Sequence, residues 1–117
     1  MLGMPSGAKI YFCREPVDFR KSFNGLCGVV ESVFEMNVLD GHLFLFVNRR
    51  RDRIKAMWWE SGGLILWYKR LEQGTFEIPR VSEDQSHITI DATQLAMLIG
   101  GVPLASARSR RKRMAAA

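Results

Sequence analysis

The stretch Gly41–Pro79 decides the fold, and it reads GHLFLFVNRRRDRIKAMWWESGGLILWYKRLEQGTFEIP. Its apolar runs are short and are separated by a charged segment and a glycine pair, which is typical of strands joined by tight turns. The runs are His42–Val47, Ile54–Trp59 and Leu64–Leu71. Because the first run is apolar on both faces, it predicts a buried central strand. The pattern as a whole predicts an antiparallel meander, with one more short strand at Thr75–Ile78 that Pro79 ends.

On the N-terminal side of this stretch, the pattern changes from strand to helix. Lys9–Cys13 is a short β-rich segment, and Glu15-Pro16 breaks it. From Asp18 onward, apolar residues recur at helical spacing, which predicts a helix over Phe19–Phe34 with Asp18 as its N-cap. Two glycines lie inside that helix, each costing up to about 1 kcal/mol relative to alanine. Small residues there favour close packing against a strand or a partner.

On the C-terminal side, His87–Ile90 is a further short strand and Asp91 opens a second helix. Asp91 and Gln94 have the spacing of a capping box, and the glycine pair at Gly100 ends the helix. Together these elements predict an α+β fold: an antiparallel sheet of about five strands with an N-terminal helix and a short C-terminal helix.

The composition is that of a globular protein. The 117 residues include 47% hydrophobic and 25% charged residues, enough for one compact core. We expect one domain over residues 1–104 and a disordered basic tail over residues 105–117. No apolar run reaches the roughly 18 residues that a membrane span requires, which favours a cytoplasmic protein with no membrane partner.

The two cysteines, Cys13 and Cys27, lack the paired spacing of metal or redox sites. We expect both to be buried, reduced thiols. No metal and no cofactor is predicted from the sequence.

The net charge of +5 is concentrated in the tail. Five of the 17 basic residues lie there, and the other 12 balance the 12 acidic residues. The five are Arg108, Arg110, Arg111, Lys112 and Arg113. A basic tail on a neutral domain predicts a polyanionic partner, with nucleic acid as the first candidate. The alternatives are a solubilising tail and a remnant of cloning.

A second basic cluster surrounds the charged turn Asn48–Asp52. Its members are Arg49, Arg50, Arg51, Arg53 and Lys55. The planar fork of arginine suits phosphate contacts, and a turn projects side chains beyond the sheet, so this cluster is a candidate site for a nucleic-acid backbone. The alternative is a solvated turn that discourages edge-to-edge aggregation.

Four further cations are secondary candidates for the same contact: Arg20, Lys21, Lys69 and Arg70. The first two fall in the first turn of the predicted helix, where positive charge opposes the helix dipole. They either serve a function or pair with Glu15 and Asp18.

The predicted hairpin interleaves Lys55, Lys69 and Arg70 with large aromatics, an arrangement that can form a stacking platform for single strands. The aromatics are Trp58, Trp59, Trp67 and Tyr68. Because strand alternation puts Trp58 and Trp59 on opposite faces, packing of at least one in the core is the favoured interpretation.

The sequence offers no recognisable catalytic set. The carboxylates at Asp18, Asp40, Asp52, Glu60 and Asp91 each stand at a turn or cap, where local hydrogen bonds explain them. The two histidines, His42 and His87, are isolated in sequence. We therefore expect a protein that is not an enzyme, with a metal-dependent nuclease built from distant carboxylates as the remaining alternative.

Three blocks resemble one transposon-encoded family. Val17–Leu26 is similar to the signature D-x-R-K-G-x-D-G-L of the accessory proteins called TnpB, or second-open-reading-frame-like, of the insertion-sequence-66 family. Gly41–Pro79 is similar to a second signature, G-x-L-F-x-F-x-x-R-R-x-D-x-I-K-x-L-x-W-D-x-x-G-x-x-L-x-x-K-R-L-E-x-G-x-F-x-x-P, almost from end to end. Gln94–Leu98, followed by Gly100, is similar to the closing L-x-x-L-L-x-G helix. Four positions depart from the family pattern: Ser22, Asn24, Glu60 and Ile78.

The resemblance implies a role rather than a reaction. It implies a protein that is encoded beside the transposase and assists transposition, while the catalytic acidic residues belong to the transposase. The implied partners are DNA, at element ends or without sequence preference, and that transposase. A pure protein–protein adaptor without DNA affinity is the rival, and self-association into a homo-oligomer is left open.

Overall fold

A computed structural model describes residues 7–100 of the chain. Those residues contain five strands, two α-helices and a 3-10 turn at Val38–Asp40. In chain order, the elements are β1 (Ile10–Cys13), α1 (Phe23–Ser32), β2 (Leu43–Val47), β3 (Arg53–Glu60), β4 (Gly63–Arg70), β5 (His87–Ile90) and α2 (Ala92–Ile99). The predicted α+β class is confirmed.

The five strands form one mixed sheet in the order β4-β3-β2-β1-β5. The pairs β2–β3, β3–β4 and β1–β5 are antiparallel, but β1 runs parallel to β2, with Ile10 opposite Leu43. The prediction of an antiparallel sheet is therefore wrong at the β1–β2 pair. The physical reason is α1, which lies between these strands in sequence and supplies the crossover connection that parallel neighbours require.

The helices also differ in order from the prediction. Among the described residues the first element is β1, and α1 follows it as the crossover to β2. Helix α1 starts at Phe23 instead of Phe19, and the residue in its N-cap position, Ser22, makes no capping hydrogen bond through its side chain. The predicted cap, Asp18, instead accepts hydrogen bonds from Arg20.

The predicted strand at Thr75–Ile78 is absent, although the chain is held there. The backbone N–H of Phe76 donates to the carbonyl oxygen of Arg51 over 2.7 Å, and the Phe76 ring is buried. One anchoring hydrogen bond and one buried ring hold this segment against the turn, without the repeated backbone hydrogen bonds that define a strand.

The sheet separates two apolar layers. Helix α1 covers one face through Leu26, Val30 and neighbouring side chains, and these pack on the alternate residues of β2 that include Phe44 and Phe46. On the other face, Leu98 of α2 and Phe76 pack over the remaining strand residues. All five residues of β2 are buried, which confirms the predicted central strand.

The C-terminal helix begins as the sequence predicts. The backbone N–H of Gln94 donates to the Asp91 carboxylate over 2.7 Å, and the Asp91 N–H donates to the Gln94 side chain over 2.9 Å. This reciprocal capping box confirms the predicted start of α2.

Candidate nucleic-acid interface

The charged turn between β2 and β3 is built around the side chain of Asn48. Its Oδ1 accepts from the backbone N–H groups of Asp52 (3.1 Å) and Arg53 (3.0 Å), and its Nδ2 donates to the Asp52 carboxylate over 2.6 Å. The hydrogen bond from Asn48 holds the pKa of the Asp52 carboxyl below its ordinary value. These hydrogen bonds within the turn hold its conformation, and the side chains of its three arginines make none of them.

Those three arginines point into solvent. Arg49, Arg50 and Arg51 are all exposed, and within residues 7–100 none of their guanidinium groups makes a hydrogen bond or salt bridge. Their charge is uncompensated by direct contact and is held on a rigid turn. This arrangement suits an anionic partner with repeated phosphates.

Lys55 does not belong to that surface. Its side chain is buried, with 4% of the residue exposed, and its Nζ donates to the carbonyl oxygens of Phe19 (2.9 Å) and Lys21 (2.6 Å). The ammonium also lies 4.8 Å from the centre of the Phe19 ring and 5.1 Å from that of Tyr68. Burial lowers the pKa of Lys55, and the charge of Asp18 partly opposes that shift. The expectation that Lys55 faces a phosphate does not fit this position, since its donors serve the protein interior.

Arg53 lies at the margin of the cluster. It is half-buried, and its Nη1 donates to the Tyr68 hydroxyl over 3.0 Å. Across the β3–β4 pair it stands opposite Arg70, whose guanidinium makes a salt bridge of 3.1 Å with Glu72. Like charges directly opposite each other destabilise a sheet, so this pair adds to the positive potential at a structural cost.

The remaining secondary candidates have different surroundings. Arg20 makes a salt bridge of 2.6 Å with Asp18, as the pairing alternative predicts, and Lys21 is exposed. Both precede α1, so the predicted conflict with the helix dipole does not arise. Lys69 donates to the carbonyl oxygen of Ile99 over 2.8 Å, which satisfies the C-terminal end of α2 and directs its charge away from the turn.

The aromatic cluster is divided by the sheet. Trp58 is buried, and Trp67 packs with it on the α2 face, which confirms that at least one tryptophan serves the core. Tyr68 lies on the opposite face, 45% exposed and in edge contact with Phe19. A continuous stacking platform of all four aromatics is therefore excluded by strand alternation.

Two clefts flank the charged turn. One of about 490 Å³ has Arg14, Glu15, Pro16, Arg51, Ile78, Pro79, Arg80 and Val81 as its lining. The other, of about 360 Å³, has Pro16, Val17, Asp18, Phe19, Asn48, Arg49 and Arg50. Pro16 borders both, so the clefts adjoin. Sequence reasoning missed Arg14 and Arg80, because only tertiary packing brings them beside Arg51.

The strand register places most of these cations at one end of the sheet. The strand residues at that end are Cys13, Val47, Arg53, Arg70 and His87. The strand residues at the opposite end are Ile10, Leu43, Glu60 and Ile90. We call the first the basic end and define it by Arg14, Arg49, Arg50, Arg51, Arg53, Arg70 and Arg80. The basic tail, Arg108 to Arg113, lies outside the residues that the structure describes.

The two histidines considered for catalysis have local partners. The Nδ1 of His42 accepts from the backbone N–H of Lys9, and His87 shares a hydrogen bond with the Ser86 hydroxyl. In the described part of the chain, no three His, Cys, Asp or Glu residues are grouped so that they could hold a metal ion. Nor does any helix there have the length and apolar character to cross a membrane.

The cysteines differ in their surroundings. Both are free, and burial raises the pKa of the Cys13 thiol to about 11. Cys27 is half-buried, contrary to the expectation that both thiols are buried, and the pKa of its thiol is raised chiefly by burial.

Fold and surface together define a small α+β protein with an arginine-rich turn and two adjoining basic clefts. Over residues 8–109 the sequence matches the family described as "IS66 Orf2 like protein", and the chain belongs to that family. The family that the sequence motifs indicate is thereby confirmed.

Two curated relatives come from Sinorhizobium fredii, and both carry the name of an uncharacterized protein. One, y4jC, is 33% identical over 102 residues, which covers 87% of this chain and 86% of the relative. The other, y4hO, is 34% identical over 101 residues, covering 85% and 86% respectively. No solved structure matches the chain.

Proposed function

We propose that this protein is an accessory factor for transposition of an insertion element, and that it binds the nucleic-acid backbone through the charged turn without catalysing strand transfer. Family membership supports the setting. The observation that supports nucleic-acid binding is the set of three exposed arginines on a turn that the hydrogen bonds of Asn48 hold in one conformation. Its partners would be DNA and the transposase of the same element.

The geometry favours backbone contact over base recognition. Arg49, Arg50 and Arg51 are consecutive and lie on a turn, not on a helix or strand that could enter a groove. Phosphate contacts fix position and affinity but carry no sequence information. Binding should therefore be strongly dependent on salt and weakly dependent on sequence.

A pure adaptor that binds only the transposase is the second candidate. The observation in its favour is a set of large apolar side chains exposed on and near α1: Phe23 (43%), Val33 (37%) and Leu39 (56%). Scattered apolar residues are also common on ordinary protein surfaces, so this support is weaker than that of the turn.

The test is binding of the full chain to element-end and random duplexes across a salt series. The variant Arg50→Gln should weaken both complexes and reduce the slope of log K against log salt by about one, the value for one lost phosphate contact. Lys9→Gln is the matched control, because it removes one exposed charge at the opposite end of the sheet.

Three outcomes would contradict the proposal. Absence of DNA binding at low salt would leave the protein–protein adaptor as the remaining candidate function. Loss of all binding on removal of residues 108–117, with no effect of Arg50→Gln, would assign the contact to the tail. Cleavage of DNA with added magnesium would overturn the non-catalytic role.

A further inference from the structure

The larger cleft beside the turn gathers three arginines from separate parts of the chain. Arg14 follows β1, Arg51 belongs to the turn, and Arg80 lies in the segment between β4 and β5. The cleft measures about 490 Å³, within the range of roughly 300–1,000 Å³ that is typical of small-molecule sites. A concave basic surface of this size can enclose one anionic group.

The positive charge in the cleft is only partly compensated. Arg14 makes a salt bridge of 2.5 Å with Glu15, the one acidic residue among those that line the cleft. Arg51 and Arg80 make no side-chain hydrogen bond or salt bridge to the described residues, so a formal excess of two positive charges remains. Ile78, Pro79 and Val81 form an apolar wall beside them.

The backbone of Arg51 adds an independent observation. Its φ of 61° is in the left-handed region, which residues other than glycine rarely adopt. The residue is fixed there because its N–H donates to Asn48 over 3.1 Å and its carbonyl accepts from Phe76 over 2.7 Å. An arginine kept where glycine would fit better breaks a local rule without a visible structural gain, which points to a role for the guanidinium.

We infer that this cleft binds one phosphodiester group of a nucleic-acid strand, with Arg51 and Arg80 holding its oxygens and the attached sugar lying against Ile78 and Pro79. The inference rests on the proposed function and extends it to a second, concave contact distinct from Arg49 and Arg50. A repeating polyanion is favoured because the adjoining cleft carries those two arginines, so a strand leaving one cleft meets the next. An acidic peptide offers carboxylates, but it provides no sugar for the apolar wall.

The experiment measures binding of three probes to the full chain by NMR: a thymidine dinucleotide with one phosphodiester, inorganic phosphate, and a short polyglutamate peptide. The dinucleotide should shift the amide signals of Arg51 and Val81 and bind most tightly. The variants Arg51→Asn and Arg80→Gln should each weaken it about tenfold, the loss of one hydrogen bond to a charged group. Lys9→Gln is the control, because it removes one exposed charge at the opposite end of the sheet, and it should leave dinucleotide affinity unchanged.

The variants at Arg51 are chosen so that unfolding cannot imitate loss of binding. Asparagine tolerates the left-handed conformation, and Arg51→Gly relieves its strain, so both should melt at or above the temperature of the unchanged protein. Loss of dinucleotide binding with unchanged melting supports the site. Equal affinity for inorganic phosphate, tighter binding of the peptide, or full affinity in Arg51→Asn would each overturn it.

Failure of this inference is distinguishable from failure of the proposed function. If the double variant Arg51→Asn, Arg80→Gln binds long duplexes as before while Arg50→Gln does not, the cleft inference fails and the proposed function stands. If no duplex binds at low salt, the proposed function fails as well.

Discussion

At the scale of single residues, Lys55 links two parts of the fold. Its ammonium, on the central part of the sheet, holds the segment that precedes α1. The carbonyl oxygens of Phe19 and Lys21 accept hydrogen bonds from this ammonium, whereas in a helix they would accept from the backbone N–H groups of residues 23 and 25. The lysine thus occupies two carbonyl groups that a helix starting at Phe19 would use, and α1 starts at Phe23. Sequence pattern cannot reveal this, since it depends on a contact between residues more than thirty positions apart.

Replacement of Lys55 by methionine should destabilise the protein by about 2 kcal/mol, because two carbonyl groups lose a charged donor. Urea unfolding followed by circular dichroism measures the change. Lys9→Met removes a charge from an exposed position and should change stability by less than about 0.5 kcal/mol. Equal effects of the two variants would show that the buried contacts of Lys55 contribute nothing to stability.

Asp18 gives a pH-dependent prediction. The hydrogen bond from Arg20 lowers the pKa of this carboxyl from 3.8 to about 2. A lowered folded-state pKa means that the stabilisation is complete above pH 3.8 and is lost as pH falls toward 2. Carboxyl carbon shifts in an NMR titration should show this midpoint, and Arg20→Gln should return it toward 3.8. A midpoint that does not move in the variant would contradict the pairing.

Among the structural elements, the turn between β2 and β3 provides the clearest link between the fold and the proposed function. The variant Asn48→Ala removes the acceptor for two backbone N–H groups and the donor to Asp52, without changing net charge. We expect a loss of about 1–3 kcal/mol in unfolding free energy and weaker DNA binding, because the arginines lose their fixed platform.

Urea unfolding and the salt-series binding measurement together check this expectation. Asn24→Ala, an exposed position in α1, is the matched control and should leave DNA affinity unchanged. Retention of full DNA affinity in Asn48→Ala would show that the rigidity of the turn is irrelevant to binding.

The elements also show what sequence patterns capture in this chain. The runs that became β2, β3 and β4, the turn between them and the capped start of α2 all follow from local periodicity and turn chemistry. The direction of β1 does not, since a run of four residues indicates a strand without its partner. The strand–helix–strand order at β1, α1 and β2 was the available signal for a parallel pair.

For the candidate site, local sequence identifies the turn but not the cleft beside it. Arg49, Arg50 and Arg51 are consecutive, so their clustering is visible in the printed sequence. Arg14 and Arg80 join Arg51 only because the Phe76 anchor and the strand order bring distant segments to one end of the sheet. Packing of that kind is not encoded in any short window of residues.

At the scale of the whole molecule, the sheet order gathers most of the exposed arginines at one end of the sheet. The central strand β2 is fully buried, while β4 and β5 form the edges and leave part of their backbone unpaired. Native-state amide exchange should therefore be slowest in β2 and faster in both edge strands. The basic end lies where β1, β2 and β4 finish, so a bound nucleic acid should protect only the segments that meet there.

Hydrogen exchange of the full chain with and without a random duplex tests this arrangement. Added protection is expected at residues 49–51 and at residues 78–81, which line the two clefts. No added protection is expected at Val38–Asp40, because that turn precedes the start of β2 at the opposite end of the sheet. Salt at several hundred millimolar should remove the protection, since phosphate contacts release counterions. Protection centred on α1 and Val38–Asp40 would place the partner on the apolar surface and overturn the assignment of the basic end.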